Sequence, residues 1–452
     1  MVFRAAGQTS PTPSVMPAPA RTGVCTGPAL TGDRLAMWRI AVVGSGTGGL
    51  AAATLLARDG HAVTLFERSA HPRALGAGLL LQPTGLACLD VLGVGRSHAA
   101  GVHALGNRID TIVGHTCEGH RPLDLRYDVL GREVHGVAIH RGTLFALLLG
   151  AAQAAGVSIR AGVEVVDAPA RERRSTRGAA ERVIVDARGD AHGAFDLVLD
   201  ASGMRSRLRD RCAEVRHLSP NPWGALWCVL PMPVDWPHAH ALQQRYHRAV
   251  RMMGVLPIGR LEADGPPLVA LFWSLRVRDR AAVVDAGIDA WRRVALDLWP
   301  EAAAMIAAVP DMQAFTFATY ADIALRRPWL DGMAFIGDAA HTASPQLGQG
   351  ANLALLDAMA LATSLRSHAG RADGIGHALV DYAHARRDHV RFYSAASRLL
   401  TPFFQSDSRI APWLRDRFLG PFGRLPWVAG QMACTLAGVK TGLLGRVALP
   451  GA

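Results

Sequence analysis

Residues 39–58 constrain the fold more than any other stretch: Arg-Ile-Ala-Val-Val-Gly-Ser-Gly-Thr-Gly-Gly-Leu-Ala-Ala-Ala-Thr-Leu-Leu-Ala-Arg. A short apolar run meets a glycine turn, an Ala/Leu-rich helix follows, and a second apolar run at 62–66 ends in Glu67. That order predicts a β-α-β unit. Within it Gly44 permits the tight turn, Gly46 lets backbone approach a pyrophosphate, and Gly49 allows close helix–strand packing. The helix N-terminus offers N–H groups and a partial positive charge to phosphates. Glu67 stands where it can hydrogen-bond a ribose diol. Gly44, Gly46, Gly48, Gly49 and Glu67 are therefore candidate dinucleotide-binding residues, although this motif alone does not choose between NAD and FAD.

The remainder of the chain sets the architecture. Helical patterns recur at 143–155, 289–309, 351–368 and 373–397, and strand-like runs at 157–160, 182–186 and 197–200. From about 216 to 320, aromatic and apolar runs alternate with Pro/Gly/Asp turns, as in an antiparallel sheet. After residue 400, aromatic residues between prolines predict short packed helices. With 452 residues, 50% hydrophobic and 19% charged, the composition excludes a mainly disordered or fibrous chain, and the length favours two domains or one interleaved pair. No apolar run reaches the roughly 18 residues that a membrane span needs, so no integral membrane association is expected.

The formal charge of +11 suggests nucleic acid at first, but 47 of the 48 basic residues are scattered arginines, with Lys440 the one lysine. A coding bias and a solvated surface explain that, and the densest run, 171–177, reads as a loop. The six cysteines form no CxxC and no regular spacing, which argues against a disulfide framework or a zinc site and for a reducing cytoplasm. The first 36 residues carry no secretory pattern. They read as a disordered extension or an over-extended gene start, with Met37 directly before the first strand.

Far downstream stands Met333-Ala-Phe-Ile-Gly337-Asp338-Ala-Ala-His-Thr-Ala-Ser-Pro345-Gln-Leu-Gly348-Gln-Gly350-Ala351-Asn352-Leu, then Asp357-Ala-Met-Ala-Leu-Ala. This segment resembles the second FAD signature of the aromatic-hydroxylase-type flavoprotein monooxygenases, the family built on the p-hydroxybenzoate hydroxylase fold. Three shorter segments resemble the same family: Gly76-Ala-Gly78-Leu-Leu-Leu-Gln82-Pro83, His140-Arg141-Gly-Thr-Leu144, and Asp200-Ala-Ser202-Gly203-Met-Arg-Ser206-Arg-Leu-Arg209. The last departs from its pattern, because Ser202 occupies the usual aspartate position and the acid stands two residues earlier, at Asp200. That places efficient NAD(P)H use in question. The resemblance covers about residues 37–400.

The resemblance implies an α/β protein in which a Rossmann-like FAD-binding domain (37–215 and 320–370) is interleaved with a mixed or antiparallel β-sheet substrate domain (216–319). An extension (1–36) precedes them and a helical C-terminal tail (371–452) follows. It implies FAD and NAD(P)H as cofactors, O2 as co-substrate, and hydroxylation or epoxidation of an aromatic or other hydrophobic small molecule through a flavin C4a-hydroperoxide. Arg141, Gly203, Asp338, Gly348, Gly350 and Ala351 join the cofactor-binding set by this likeness, and Pro345 is placed beside the reactive edge of the ring. Arg141 is equally readable as a helix cap and Pro345 as a rigid turn; His341, next to Asp338, invites a reading as a base, but its position on the loop favours a structural hydrogen bond. Trp223, Trp227, Tyr246, Met252, Met253, Phe272 and Trp273 are candidate substrate lining, about half of which should be ordinary core since alternate strand positions face opposite ways. No second nucleotide-binding glycine motif exists for NAD(P)H, which suits a reductant that docks transiently. A homodimer is compatible with all of this, and nucleic acid is not an expected partner. The alternatives are a reductase or halogenase of related fold, or a flavin-binding protein without turnover; the lack of Trp-x-Trp-x-Ile-Pro and of a mid-chain lysine counts against the halogenase.

Overall fold

The computed structural model describes residues 38–72, 77–96, 100–174, 180–342, 344–443 and 445–447. The 1–36 extension and Gly76 lie outside the described residues. The first apolar run becomes the strand Arg39–Val43 in the middle of a six-stranded sheet. It pairs in parallel with Ala62–Glu67 on one side and Leu197–Asp200 on the other. Ser158–Ala161 and Met333–Phe335 extend the parallel array, and Trp329–Leu330 closes one edge antiparallel. Side chains alternate across such a strand, so Ile40 and Val42 enter one core with Leu50, Leu65, Leu199 and Leu355, while Ala41 and Val43 enter another with Phe66, Phe335 and Ile184. Both faces are thus covered, as a parallel sheet requires.

A second sheet has eight strands, in the order His341–Thr342, Thr316–Leu325, Val215–Pro231, Leu268–Arg276, Arg251–Gly259, Ala241–His247, Thr111–Thr116, Leu123–Arg126. All its pairs are antiparallel except Ala241–His247 with Thr111–Thr116. The sheet therefore draws two strands from well before residue 216. Val215–Pro231 is 17 residues long, and its register against Thr316–Leu325 slips between Pro220 and Gly224. Proline cannot donate to a ladder, and Pro220 and Pro222 stand at this slip.

Three local expectations are corrected. The run 171–177 is not simply a loop, since Ala170–Arg174 is a strand paired with Ala180–Asp186; residues 175–179 lie outside the described residues. The helix expected over 289–309 is broken into Gly287–Leu298 and Ala303–Ala308, with Pro300 opening the turn between them. The helix expected to end at 397 runs on as Gly374–Phe404. Beyond it lie Ile410–Leu414, a π-helical Arg415–Leu419, Gly420–Gly423 and Pro426–Leu436. Among the described residues no helix is long and apolar enough to cross a membrane, and no cluster of side chains could hold a metal ion.

Candidate active site

Strand Arg39–Val43 ends at Gly44, whose φ of 101° and whose place 2.6 Å from Ala201 O, measured from an added Cβ, leave room for glycine alone. Helix Thr47–Arg58 then starts at Gly46, with no side chain capping it and open space where a Cβ would stand. Glu67 turns back to this loop: it accepts from Ser45 N at 2.9 Å, Ser45 Oγ at 2.7 Å and Ser69 N at 2.9 Å. Partial burial raises its pKa, but the Ser45 and Ser69 hydrogen bonds and the Arg68 charge outweigh this and hold it below the usual range. An open cleft of about 240 Å³ lies here, walled by Ser45, Gly46, Glu67, Leu79, Arg141 and Phe145. Gly48 and Gly49 serve packing instead. A Cβ on Gly48 would stand 3.1 Å from that of Ala354, and one on Gly49 only 2.0 Å from Gly44 O.

Arg141 opens helix Arg141–Ala154, yet the cap is His140, whose Nδ1 accepts from Gly142 N at 3.1 Å. The cap reading of Arg141 is thereby set aside. Its exposed guanidinium lines the cleft and has no hydrogen-bond or ion-pair partner among the described residues. Its charge also acts on Asp338 and on Tyr320. Asp338 is ringed by protein atoms, which raises its pKa against the pull of His341 and Arg141, and yet it remains open to solvent.

Around Asp338 the second signature closes into a compact turn. Gly350 begins helix Gly350–Ser367, again without a side-chain cap, and an added Cβ there would lie 3.9 Å from Asp338 Oδ1; Ala351 follows, half-buried. Pro345 is exposed and starts the single turn Pro345–Leu347, which Gly348 ends at φ 61°. Asn352 is fully buried, accepting from Gln82 N at 2.9 Å and donating to Gly348 O at 3.2 Å. Gln82 accepts from the Tyr127 hydroxyl, but its Nε2, together with Ser344 Oγ and Gln346 Nε2, is buried with no partner among the described residues. An orphaned buried polar atom costs about 1–3 kcal/mol unless something satisfies it. A polar, planar group lying over this turn would do so, and an FAD ring fits that need.

Beneath the turn, buried Asp357 accepts from Gly337 N at 2.8 Å, His341 Nε2 at 2.7 Å and Arg386 Nε at 2.7 Å. Burial alone would raise its pKa, but the charges of His341 and Arg386 hold it far below the usual carboxylate range. His341 is thus a structural group. Gly203 has φ 86° and open space around it, and its neighbours Ala201 and Ser202 abut Gly44. Asp200 does not replace the missing acid. It is fully buried and accepts from Ser202 N at 3.0 Å, Ser202 Oγ at 2.6 Å and the Ser206 hydroxyl, so only Ser202 is exposed.

The FAD binding domain family profile matches residues 37–393. The chain belongs to the FAD-dependent monooxygenases. Over 347 residues this monooxygenase is 30% identical to 2-heptyl-3-hydroxy-4(1H)-quinolone synthase of Mycobacteroides abscessus, covering 74% of this chain and 83% of that one. It is 30% identical over 382 residues to kynurenine 3-monooxygenase of Salinispora arenicola, covering 78% and 77%. Among solved structures it superposes on P. aeruginosa PqsL in complex with 2-aminobenzoylacetate with a TM-score of 0.69 and 23% identity, over 85% of this chain and 99% of that one. FAD is its cofactor, and NAD(P)H is the usual reductant of the family.

In the monooxygenase the candidate lining residues divide by strand face. Tyr246, Met252 and Phe272 gather on one face with Trp227 and Phe404. Met253 and Trp273 point the other way into a core with Trp291 and Trp299. Trp223 is buried under the Arg276 guanidinium, 5.0 Å from its ring. Sequence reasoning missed Tyr320, whose hydroxyl accepts from Trp227 Nε1 at 3.4 Å and which feels the Arg141 charge. A lone tyrosine in a strand carries no pattern that would single it out. Arg386, 29 residues from Asp357, was equally invisible.

Proposed function

We propose that this enzyme uses NAD(P)H and O2 to hydroxylate or epoxidise an aromatic or other hydrophobic small molecule. The supporting observation is Arg141, a partnerless cation that walls the cleft below the glycine turn while its charge reaches both Asp338 and Tyr320. One group long enough to lie along the cleft and reach the 345–350 turn would touch all of these. In this reading Gly44, Gly46 and the start of helix Thr47–Arg58 hold the pyrophosphate and Glu67 the ribose, with Gly49 keeping helix and strand close and Gly48 letting this helix approach helix Gly350–Ser367. Arg141, Gly203 and Asp338 line the middle of the cofactor, and the backbone at Gly348, Gly350 and Ala351 passes the ring. The start of helix Gly350–Ser367 favours negative charge on the ring's pyrimidine side, and Pro345 borders the reacting edge. FAD, when bound, supplies hydride acceptance and oxygen activation. The chain has then to orient the substrate and exclude water, tasks proposed for Trp227 and Phe272, whose rings meet at 4.8 Å, whereas Tyr246 is sealed beneath Arg415 and Phe404.

The proposed division keeps the FAD-binding part at 37–215 and 320–370 and the substrate sheet at 216–319, with the strands at 111–126 added to the sheet and the helices at 371–452 separate. The proposed location is the cytoplasm, where NAD(P)H is supplied. Because relatives are named for a quinolone and for kynurenine, those two compound classes and simple phenols form the first substrate panel. Purified protein should be yellow, and at least one compound should stimulate NAD(P)H oxidation together with oxygen uptake. A protein that stays colourless with added FAD, or that no compound stimulates, contradicts the proposal. Asp338→Ala should lower flavin occupancy; unchanged occupancy would refute the role given to Asp338.

A further inference from the structure

The segment 410–423 presents its apolar side to solvent. Ile410, Trp413, Leu414, Phe418 and Phe422 are all exposed along a helical path, Trp413 and Leu414 three and four residues after Ile410 and Phe418 and Phe422 at further steps of four, and exposed Leu425 lies just beyond it. Trp413, Phe418 and Phe422 are 52%, 46% and 56% exposed, and their rings follow one another at centroid distances of 6.0 and 6.4 Å. A surface helix ordinarily turns such a face inward. Here the inward face is occupied differently, by Arg415. Its guanidinium lies over Tyr246 at 4.7 Å and Phe404 at 5.3 Å and donates to Asp416 Oδ1 at 2.7 Å and Phe403 O at 2.9 Å. Gly420 is pressed against Arg121 O, 2.5 Å from where its Cβ would stand. The outward direction of the stripe is therefore built in.

Charge indicates what covers it. Arg409, Arg417 and Arg424 are exposed beside or within the stripe, and none has a carboxylate partner among the described residues. The single acid between 408 and 427 is Asp416, already taken by Arg415. A second copy of the chain related by a two-fold axis would bring the same cations together. A bilayer surface with anionic headgroups instead offers negative charge to the arginines and an apolar boundary to the indole and phenyl rings. We infer that the 410–427 face docks on an anionic lipid surface, lying in the interface without crossing it.

The test uses full-length, FAD-loaded protein and co-sedimentation with vesicles of phosphatidylcholine, with or without phosphatidylglycerol. Binding should require phosphatidylglycerol and weaken as salt rises. Arg417→Glu with Arg424→Glu should weaken it about tenfold or more, and Trp413→Ser with Phe418→Ser should abolish it, each variant keeping its flavin content and melting temperature. The inference is overturned if anionic vesicles bring down no protein, or if both double variants bind as the parent does. It is equally overturned if Trp413→Ser with Phe418→Ser dissolves a solution dimer while vesicle binding is absent throughout, which would assign the stripe to a second copy.

Discussion

Ser202 shows how one exchange alters a neighbourhood. Its hydroxyl and its amide both donate to Asp200, a carboxyl without solvent access whose pKa burial raises against the help of Ser202, Ser206 and Arg209. Placing the family's acid here would remove a donor from a buried acceptor and set two carboxylates side by side. Ser202→Asp should therefore destabilise the fold by about 1–3 kcal/mol in denaturant melts, despite approaching the family pattern; an unchanged midpoint would contradict the Asp200 geometry. His389 gives a second test at this scale. Its Nδ1 accepts from Arg386 at 2.8 Å and its Nε2 donates to Gly438 O at 2.7 Å, which fits only the neutral ring. Burial first and the Arg386 charge second lower its pKa to about 4. The unfolded chain takes up this proton near the ordinary histidine value and the native state does not, so stability is full above that value and falls as pH drops toward 4. The loss should be about 3 kcal/mol for this one group, measured as denaturation midpoints between pH 7 and 4. His389→Gln should flatten that slope.

At the scale of elements, the decisive join is between helix Gly350–Ser367 and the strand Gly78–Leu81 with its following turn. Asn352 carries it, satisfying Gln82 N and Gly348 O from a fully buried position. Asn352→Ala should cost about 1–3 kcal/mol by orphaning Gln82 N and should lower flavin retention, read as FAD released on gel filtration; retention equal to the parent would contradict this role. The helix and both glycine turns were legible in sequence because each is written locally, as an apolar run, a glycine spacing and an Ala/Leu periodicity. The break at Pro300 is legible too, since a proline within a helical pattern ends the helix before it. What sequence could not reveal is which core each strand face enters: Met252 and Met253 are adjacent, and one packs with Tyr246 and Phe404 while the other packs with Trp273 and Trp291. Nor could it join Asp357 to Arg386, since the ion pair depends on how two helices cross.

For the whole molecule, the interleaving of a parallel sheet with an antiparallel one could be read from the change in texture near residue 216. The early strands at 111–126 escaped that reading because their pairing with Ala241–His247 spans over a hundred residues of chain. The net charge of +11 does not by itself point to a partner. Most of it is scattered, and only where arginines stand among exposed aromatic rings, at 409–427, does it acquire a direction. The aromatic tail was expected to pack, and its inner face does, through Phe403, Phe404 and Leu419 on the sheet. The central claim concerns the reaction itself: one atom of dioxygen enters the substrate. Turnover under isotopically heavy dioxygen, followed by mass spectrometry of the product, tests it directly. The product should carry one heavy oxygen atom, matched by NAD(P)H consumed; a product whose new oxygen comes from water, or NAD(P)H oxidation with no labelled product from any compound of the panel, would contradict it.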